Sequence, residues 1–192
     1  MNAIELIAGC RAGDAGALDA FMHAYYDSIY RLALSVLNDP AEADDAAQDV
    51  VVAVVRGGAY QGQASLKTWL YAMTVNHCRS RLRKRRTRER LLQALQGVFR
   101  PAHPAGPDPE TIAMRRERAS AVWQAVDALD EKHRLPVILY YGHELPAGEI
   151  AQVLHISEGT VHSRLYTARA RLRAALAAGT DEPDDAVETE RP

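Results

Sequence analysis

Apolar residues recur every three to four positions through most of this chain, which is the period of helices with one buried face. After an apolar lead-in at Ile4, Leu6 and Ile7, the positions Leu18, Phe21, Met22, Tyr25, Ile29, Leu32, Ala33 and Val36 keep that period behind Asp14, a residue suited to an N-cap. The run Asn38-Asp39-Pro40-Ala41-Glu42 then predicts a sharp helix start, with Asp39 as the cap, Pro40 in the first helical position and Glu42 closing a capping box. The helix that follows buries Ala47, Val50, Val51 and Val54, and leaves Asp44, Asp45, Gln48 and Asp49 on the opposite side. Gly57-Gly58 ends it, and a small polar loop leads to a long helix whose apolar face is Leu66, Trp69, Leu70, Met73 and His77. Asp108-Pro109 repeats the cap-and-proline start ahead of Ile112, Ala119, Val122, Trp123, Val126 and Leu129, and a short helix is expected over Pro136 to Tyr141, closed by Gly142. The pattern predicts an all-α protein.

The stretch Leu145 to Leu176 reads as a helix-turn-helix. Ile150, Ala151 and Leu154 share a face of the first helix, His155-Ile156 makes the turn, and Ser157 accepts a hydrogen bond from an amide at the start of the second helix. Glycine often occupies such a turn; histidine tolerates left-handed dihedrals better than most residues. Val161, Leu165, Ala168, Leu172 and Leu176 form the inward stripe of the second helix. Arg164, Arg169, Arg171 and Arg173 then stand there with no acid from Gly159 to Ala178, as suits a helix laid against phosphates with its first turns in a major groove.

Charge changes the picture only when divided by position. The net formal charge is −2, but residues 1–55 carry two basic and nine acidic side chains, residues 56–90 ten basic and one acidic. Acids near a helix start serve the helix dipole, so the acidic face of Asp44, Asp45 and Asp49 is on local grounds either solvated or a dock for a basic partner. The basic helix, with Tyr60, Trp69 and Tyr71 near its start, has the composition of a nucleic-acid strand site, in which arginines neutralise phosphates and aromatic rings stack on bases; the alternative is that Trp69 and Tyr71 are ordinary core aromatics, the reading that the apolar face favours for Trp69. Residues 97–109 contain four prolines and form an extended linker, able at roughly 3.3 Å per residue to span on the order of 40 Å. The acidic tail, residues 179–192, is expected to be disordered.

Two cysteines, Cys10 and Cys78, have neither the number nor the spacing of a disulfide framework or a zinc site, and predict reduced thiols in a cytoplasmic protein. Neither signal peptide nor membrane-spanning run is present, and no metal-ligand spacing, phosphate-cradling glycine loop or nucleophile motif points to a cofactor or to catalysis.

Three motifs in order make the family reading specific: Asp44-Asp45-Ala46-Ala47-Gln48-Asp49, then GQASLKTWLYAMTVNHCRSRLRKRR from Gly62 to Arg86, then GTVHSRLYTARARLR closing the helix-turn-helix. Over residues 10 to 176 the chain resembles a bacterial RNA polymerase sigma factor of the extracytoplasmic-function (ECF) class, which keeps only the second and fourth conserved regions. The resemblance implies region 2 over residues 1–96, a linker over 97–109 and region 4 over 110–178. It implies docking of Asp44, Asp45, Gln48 and Asp49 on the clamp helices of the polymerase's largest subunit. It implies a minus-ten site for a flipped base and single-stranded DNA, made of Tyr60, Gln61, Gly62, Gln63, Ala64, Ser65, Trp69, Asn76, Arg79 and Arg83. It also implies a minus-thirty-five duplex site of Ser157, Glu158, Thr160, His162, Ser163, Arg164, Thr167, Arg169 and Arg171. The polymerase flap and an anti-sigma factor are further implied partners. Val51 departs from a phenylalanine and His162 from a lysine common in the family.

The rival class is a transcription regulator that binds DNA alone. It predicts a sensing or receiver domain ahead of the helix-turn-helix, where this chain has an acidic helix and then a basic one. A purely protein-binding adaptor leaves the arginine helix unexplained.

Overall fold

The computed structural model describes residues 2–57, 60–96 and 121–178, and every regular element among them is a helix or helical turn. The apolar lead-in is itself a helix, α1 (Ala3–Ala12). The Asn2 side chain accepts a bond from the Glu5 amide and the Glu5 carboxylate accepts one from the Asn2 amide, a capping box that apolar periodicity does not announce, and Gly13 closes the helix at φ 77°. Gly9 lets α1 approach the next helix: a Cβ there would stand 2.7 Å from that of Ala17. Gly9→Ala is therefore expected to destabilise the fold by about 1–3 kcal/mol, as overpacking does; a urea unfolding midpoint equal to that of the unchanged protein would refute the close approach.

Asp14 caps α2 (Ala15–Phe21) through the Gly16 and Ala17 amides. The chain then runs through a π-helical stretch, Met22–Tyr26, into α3 (Asp27–Leu37). Phe21, Ile29, Leu32, Ala33 and Val36 are buried as their spacing predicts, whereas Leu18 is exposed. Asp39 and Pro40 start α4 (Pro40–Arg56), with the Asp39 carboxylate accepting from the Glu42 amide at 3.0 Å. The expected capping box stays open, because the Glu42 carboxylate is drawn to Arg81.

The long basic helix, α5 (Leu66–Gln96), is buried on two faces, which a single apolar stripe did not predict. Leu66 and Leu70, with Trp69 and Met73 beside them, pack on α1 to α4. Tyr71, Val75, Cys78 and Leu82, at helical spacing on another side, join the core of the second half. That half comprises α6 (Ala121–Asp127), α7 (Glu131–Val137) with a π-helical stretch to Gly142, α8 (Ala147–Leu154) and α9 (Glu158–Ala178). The helix expected from Pro136 starts instead at Glu131, capped by Asp130, and carries Pro136 inside it. Val122, expected on the buried stripe, is exposed.

The two helical domains therefore share one core. Leu32 and Val36 of α3 and Val75 and Cys78 of α5 cluster with Leu135, Leu139, Ile150 and Leu165. Polar ties cross the same seam: the Thr68 hydroxyl donates to Glu149 (2.7 Å), Arg79 pairs with Glu131 (2.9 Å), and Arg134 donates to the Ser35 carbonyl (3.2 Å). The Pro-rich linker, the Asp108-Pro109 start, Ile112, Ala119 and the acidic tail lie outside the described residues.

Both cysteines are buried and free. Burial pushes the Cys78 thiol up to about 12, against the opposing pull of the Arg81 charge. The ordinary thiol ionises near pH 9, so the raised group contributes stability that is full below pH 9 and drains away as pH rises toward 12. Unfolding free energy should fall with pH across that window, and Cys78→Ala should flatten the slope; an unaltered slope would show that the thiol is not its source.

Candidate polymerase and nucleic-acid interfaces

The acidic face of α4 is shaped by its neighbours. Ala43, Ala46, Ala47, Val50 and Val54 are buried, so Asp45, Gln48 and Val52 point away from the core, with Asp44 and Asp49 on the flanks. Asp44 accepts the Tyr26 hydroxyl (2.7 Å) and the Gln48 amide (2.8 Å), and burial followed by this carboxylate raises the Tyr26 phenol to about 12. On the other flank Arg81 of α5 reaches Glu42 (3.1 Å), Asp45 (3.2 Å) and Asp49 (2.7 Å). Burial works against its charge, but the three carboxylates more than compensate and hold the guanidinium protonated. Arg81 thus fixes the acids in place and neutralises part of their field. The four predicted residues lie on one solvent-facing side, and Val52, 44% exposed, joins them. Sequence reading missed Val52 because it sits in a valine run that looked uniformly buried.

The loop before α5 builds a recess. The Tyr60 hydroxyl donates to the Ala64 carbonyl (2.8 Å), Gly62 turns the chain at φ 73°, and the Ser65 hydroxyl accepts from the Thr68 amide (3.0 Å) to start α5. Tyr60, Gln61, Gln63, Ala64, Thr68, Trp69 and Ala72 line an open cavity of about 440 Å³, and Gln152 and His155 of the helix-turn-helix form its far wall. Trp69 is half-buried, its ring 5.4 Å from that of Tyr60, so it both supports the packing and borders the recess. Tyr71 does not: it is 3% exposed and meets His143 edge-on, which removes it from any stacking surface. Asn76, Arg79 and Arg83 continue up α5 at the spacing of the Trp69 and Ala72 side, beyond the cavity itself.

In the helix-turn-helix, His155 adopts φ 53°, ψ 49°, the left-handed turn expected of it, and its amide closes α8. Ser157 accepts from the Thr160 amide at 3.2 Å and opens α9. Val161, Leu165 and Ala168 are buried, leaving Glu158, His162 and Ser163 exposed and Thr160, Arg164 and Thr167 partly so. Two of the predicted arginines are engaged within the fold. Arg169 donates to the Tyr141 hydroxyl (2.7 Å) and lies over the Tyr140 and Tyr141 rings, and Arg171 pairs with Asp130 (3.1 Å).

The architecture can be set beside known proteins. The Sigma-70 region 2 model matches residues 21–88 and the Sigma-70 region 4 model residues 119–172. The ECF RNA polymerase sigma factor SigM of Mycobacterium tuberculosis is 33% identical over 178 residues, covering 90% of this chain and 83% of its own. The chain belongs to the ECF class of the sigma-70 family. SigW of Bacillus subtilis, another ECF sigma factor, is 29% identical over 172 residues, covering 86% of this chain and 92% of its own. Two solved structures share the fold: CnrH in complex with the cytosolic domain of CnrY (TM-score 0.64, 23% identity, 91% of this chain and 96% of that one) and RpoE with the anti-sigma factor NepR from Bartonella quintana (TM-score 0.61, 24% identity, 83% and 96%).

As a sigma factor the protein binds core RNA polymerase, recognises promoter minus-thirty-five and minus-ten elements and promotes initiation. Among the described residues no group of side chains could hold a metal ion, and no helix of this sigma factor is long and apolar enough to cross a membrane.

Proposed function

We propose that this sigma factor divides its work among the three surfaces just described. The outward side of α4, with Asp44, Asp45, Gln48, Asp49 and Val52, docks on the clamp helices of the largest polymerase subunit. The recess of Tyr60 to Ser65 with Trp69 receives a base extruded from the minus-ten element, and Asn76 and Arg83 track the unpaired strand, which Arg79 joins only on leaving Glu131. Extrusion costs a few kcal/mol, which stacking and phosphate contacts offset. The start of α9, from Ser157 to Thr167, reads the minus-thirty-five duplex. Arg169 and Arg171 serve mainly to brace α9, since their charge is already partnered by Tyr141 and Asp130.

The observation that carries this reading is the recess: a cavity of nucleobase scale, lined by polar loop residues and two aromatic rings, at the start of a helix rich in arginine. An apolar groove of about 370 Å³ that includes Trp123, Val126, Leu172 and Leu176 suits the polymerase flap. In this division region 2 occupies residues 1–96 and region 4 residues 110–178, joined by 97–109. The protein works in the cytoplasm, makes and breaks no bond, and is held in reserve by an anti-sigma factor covering the same surfaces; that the fold neighbour RpoE is solved with the anti-sigma factor NepR supports such a partner.

The test is to add the purified protein to core polymerase and a randomised promoter library. Transcripts enriched for one minus-thirty-five and minus-ten pair are expected. Enrichment that persists after Trp69→Ala and Gln61→Ala together, with no loss of minus-ten preference, would remove the recess from the reading.

A further inference from the structure

We propose that the recess between the Tyr60 loop and the helix-turn-helix is also a binding site for a free, uncharged nucleobase or nucleoside, which fastens the two halves of the protein together. The site is the one assigned above to the extruded minus-ten base, and its second use rests on that assignment. The residues given to the extruded base all belong to the first half. The cavity has a further wall: opposite Tyr60, Gln61, Gln63 and Trp69 stand Gln152 and His155 of the second half. A hydrogen bond ties the walls together, since Thr68, which also lines the cavity, donates its hydroxyl to Glu149 of α8 at 2.7 Å.

The lining selects the ligand. It contains no lysine, arginine, aspartate or glutamate, so nothing in it draws in a phosphate or a carboxylate with a fixed charge. Arg79 and Arg83 lie farther along α5, outside the lining. Tyr60 and Trp69 offer aromatic surface to a flat ring. Glutamine side chains stand on both walls, and each carboxamide presents a donor beside an acceptor, the pattern that pairs with the polar edge of a base. His155 adds a ring that both donates and accepts when neutral. The volume, about 440 Å³, is that of small-molecule sites.

A ligand held by both walls favours the closed arrangement and, by mass action, stabilises it against any state in which the halves are apart. It also takes the place of the extruded base. The free nucleoside therefore competes with the minus-ten strand, and initiation by this sigma factor falls as the nucleoside concentration rises.

The test titrates adenosine, guanosine, cytidine and thymidine in turn into the full chain carrying Trp123→Phe, in which Trp69 is the one indole left. One of the four should change Trp69 emission saturably, with a midpoint on the order of 0.1–1 mM, ordinary for a ligand of about twenty non-hydrogen atoms. Hydrogen exchange of the α8 amides should slow at saturation. Gln152→Ala should weaken binding about fivefold, the worth of one hydrogen bond, and leave the minus-ten preference of the holoenzyme as it was. With nucleoside at ten times its midpoint, the amount of chain needed to half-saturate core polymerase on the promoter selected from the library should rise about tenfold, and about threefold for Gln152→Ala. If none of the four gives either a saturable emission change or slowed exchange, the proposal is overturned. Binding that Gln152→Ala leaves unchanged overturns it too, because the wall from α8 then takes no part. Neither result touches the base-receiving role of the recess, which is decided by the library test with Trp69→Ala and Gln61→Ala.

Discussion

Ile150→Ala is expected to lower the free energy of unfolding by about 2–5 kcal/mol, the range for deleting a buried aliphatic side chain and leaving a cavity. Ile150 is completely buried in α8, within the cluster that joins α3 and α5 to the helix-turn-helix. The loss should therefore be felt on both sides of the seam. Trp69 reports on the first half and Trp123 on the second, so chemical denaturation can be followed in two single-tryptophan proteins, each with the other indole replaced by phenylalanine. Both probes should shift by the same amount, in one transition. If Trp69 keeps its midpoint while Trp123 moves, the halves unfold separately and the shared core contributes little.

Asp45→Lys with Gln48→Lys should weaken the binding of core polymerase by about 10- to 100-fold, or roughly 1.5–3 kcal/mol, and the loss should shrink at high salt. These two positions point outward from α4, so their exchange cancels the net negative charge of the face and puts two lysines at its centre. Fold stability should change by less than about 1 kcal/mol, because Asp45 is well exposed and Arg81 retains Glu42 and Asp49. Fluorescence titration of labelled protein into core polymerase measures the first quantity and urea unfolding the second. Unchanged affinity in a normally folded variant would mean that polymerase docks elsewhere. By contrast, Arg81→Met should cost stability, since it leaves three carboxylates facing one another.

What the sequence revealed was chiefly local chemistry. Asp14, Asp39-Pro40, His155 and Ser157 each act on atoms within four residues, and all four behave as their type and position predict. Glu42 shows the limit. Its spacing from Asp39 fits a capping box, but Arg81, distant in sequence, offers a charged donor and wins the carboxylate. The same limit hid the second face of α5, where Tyr71, Val75, Cys78 and Leu82 are interleaved with arginines and read as breaks in a basic surface. Only the arrival of the second half makes them core. Pro136 misled in another way: a proline near a helix start is common, but the true cap, Asp130, lies upstream, and the helix widens into a π-helical stretch just after the proline. Of the proposed surfaces, the charged and polar members are those that motif and spacing pick out. Val52 and Thr68 are not, because exposure or a tertiary neighbour, rather than residue type, gives them their place.

The seam between α5 and α8 has a thermal consequence. The far wall of the recess formed by Tyr60 to Ala64 is built by Gln152 and His155 of the helix-turn-helix itself. Any parting of the halves, such as would open that recess on its far side, wets the apolar cluster around Val75, Leu139 and Ile150. Hydrating such surface carries a positive heat capacity, and the hydrophobic attraction that closes the seam weakens on cooling. The closed form is then at its most secure in the warm part of the protein's working range and loosens toward the cold, so that temperature acts on the readiness of this sigma factor to open.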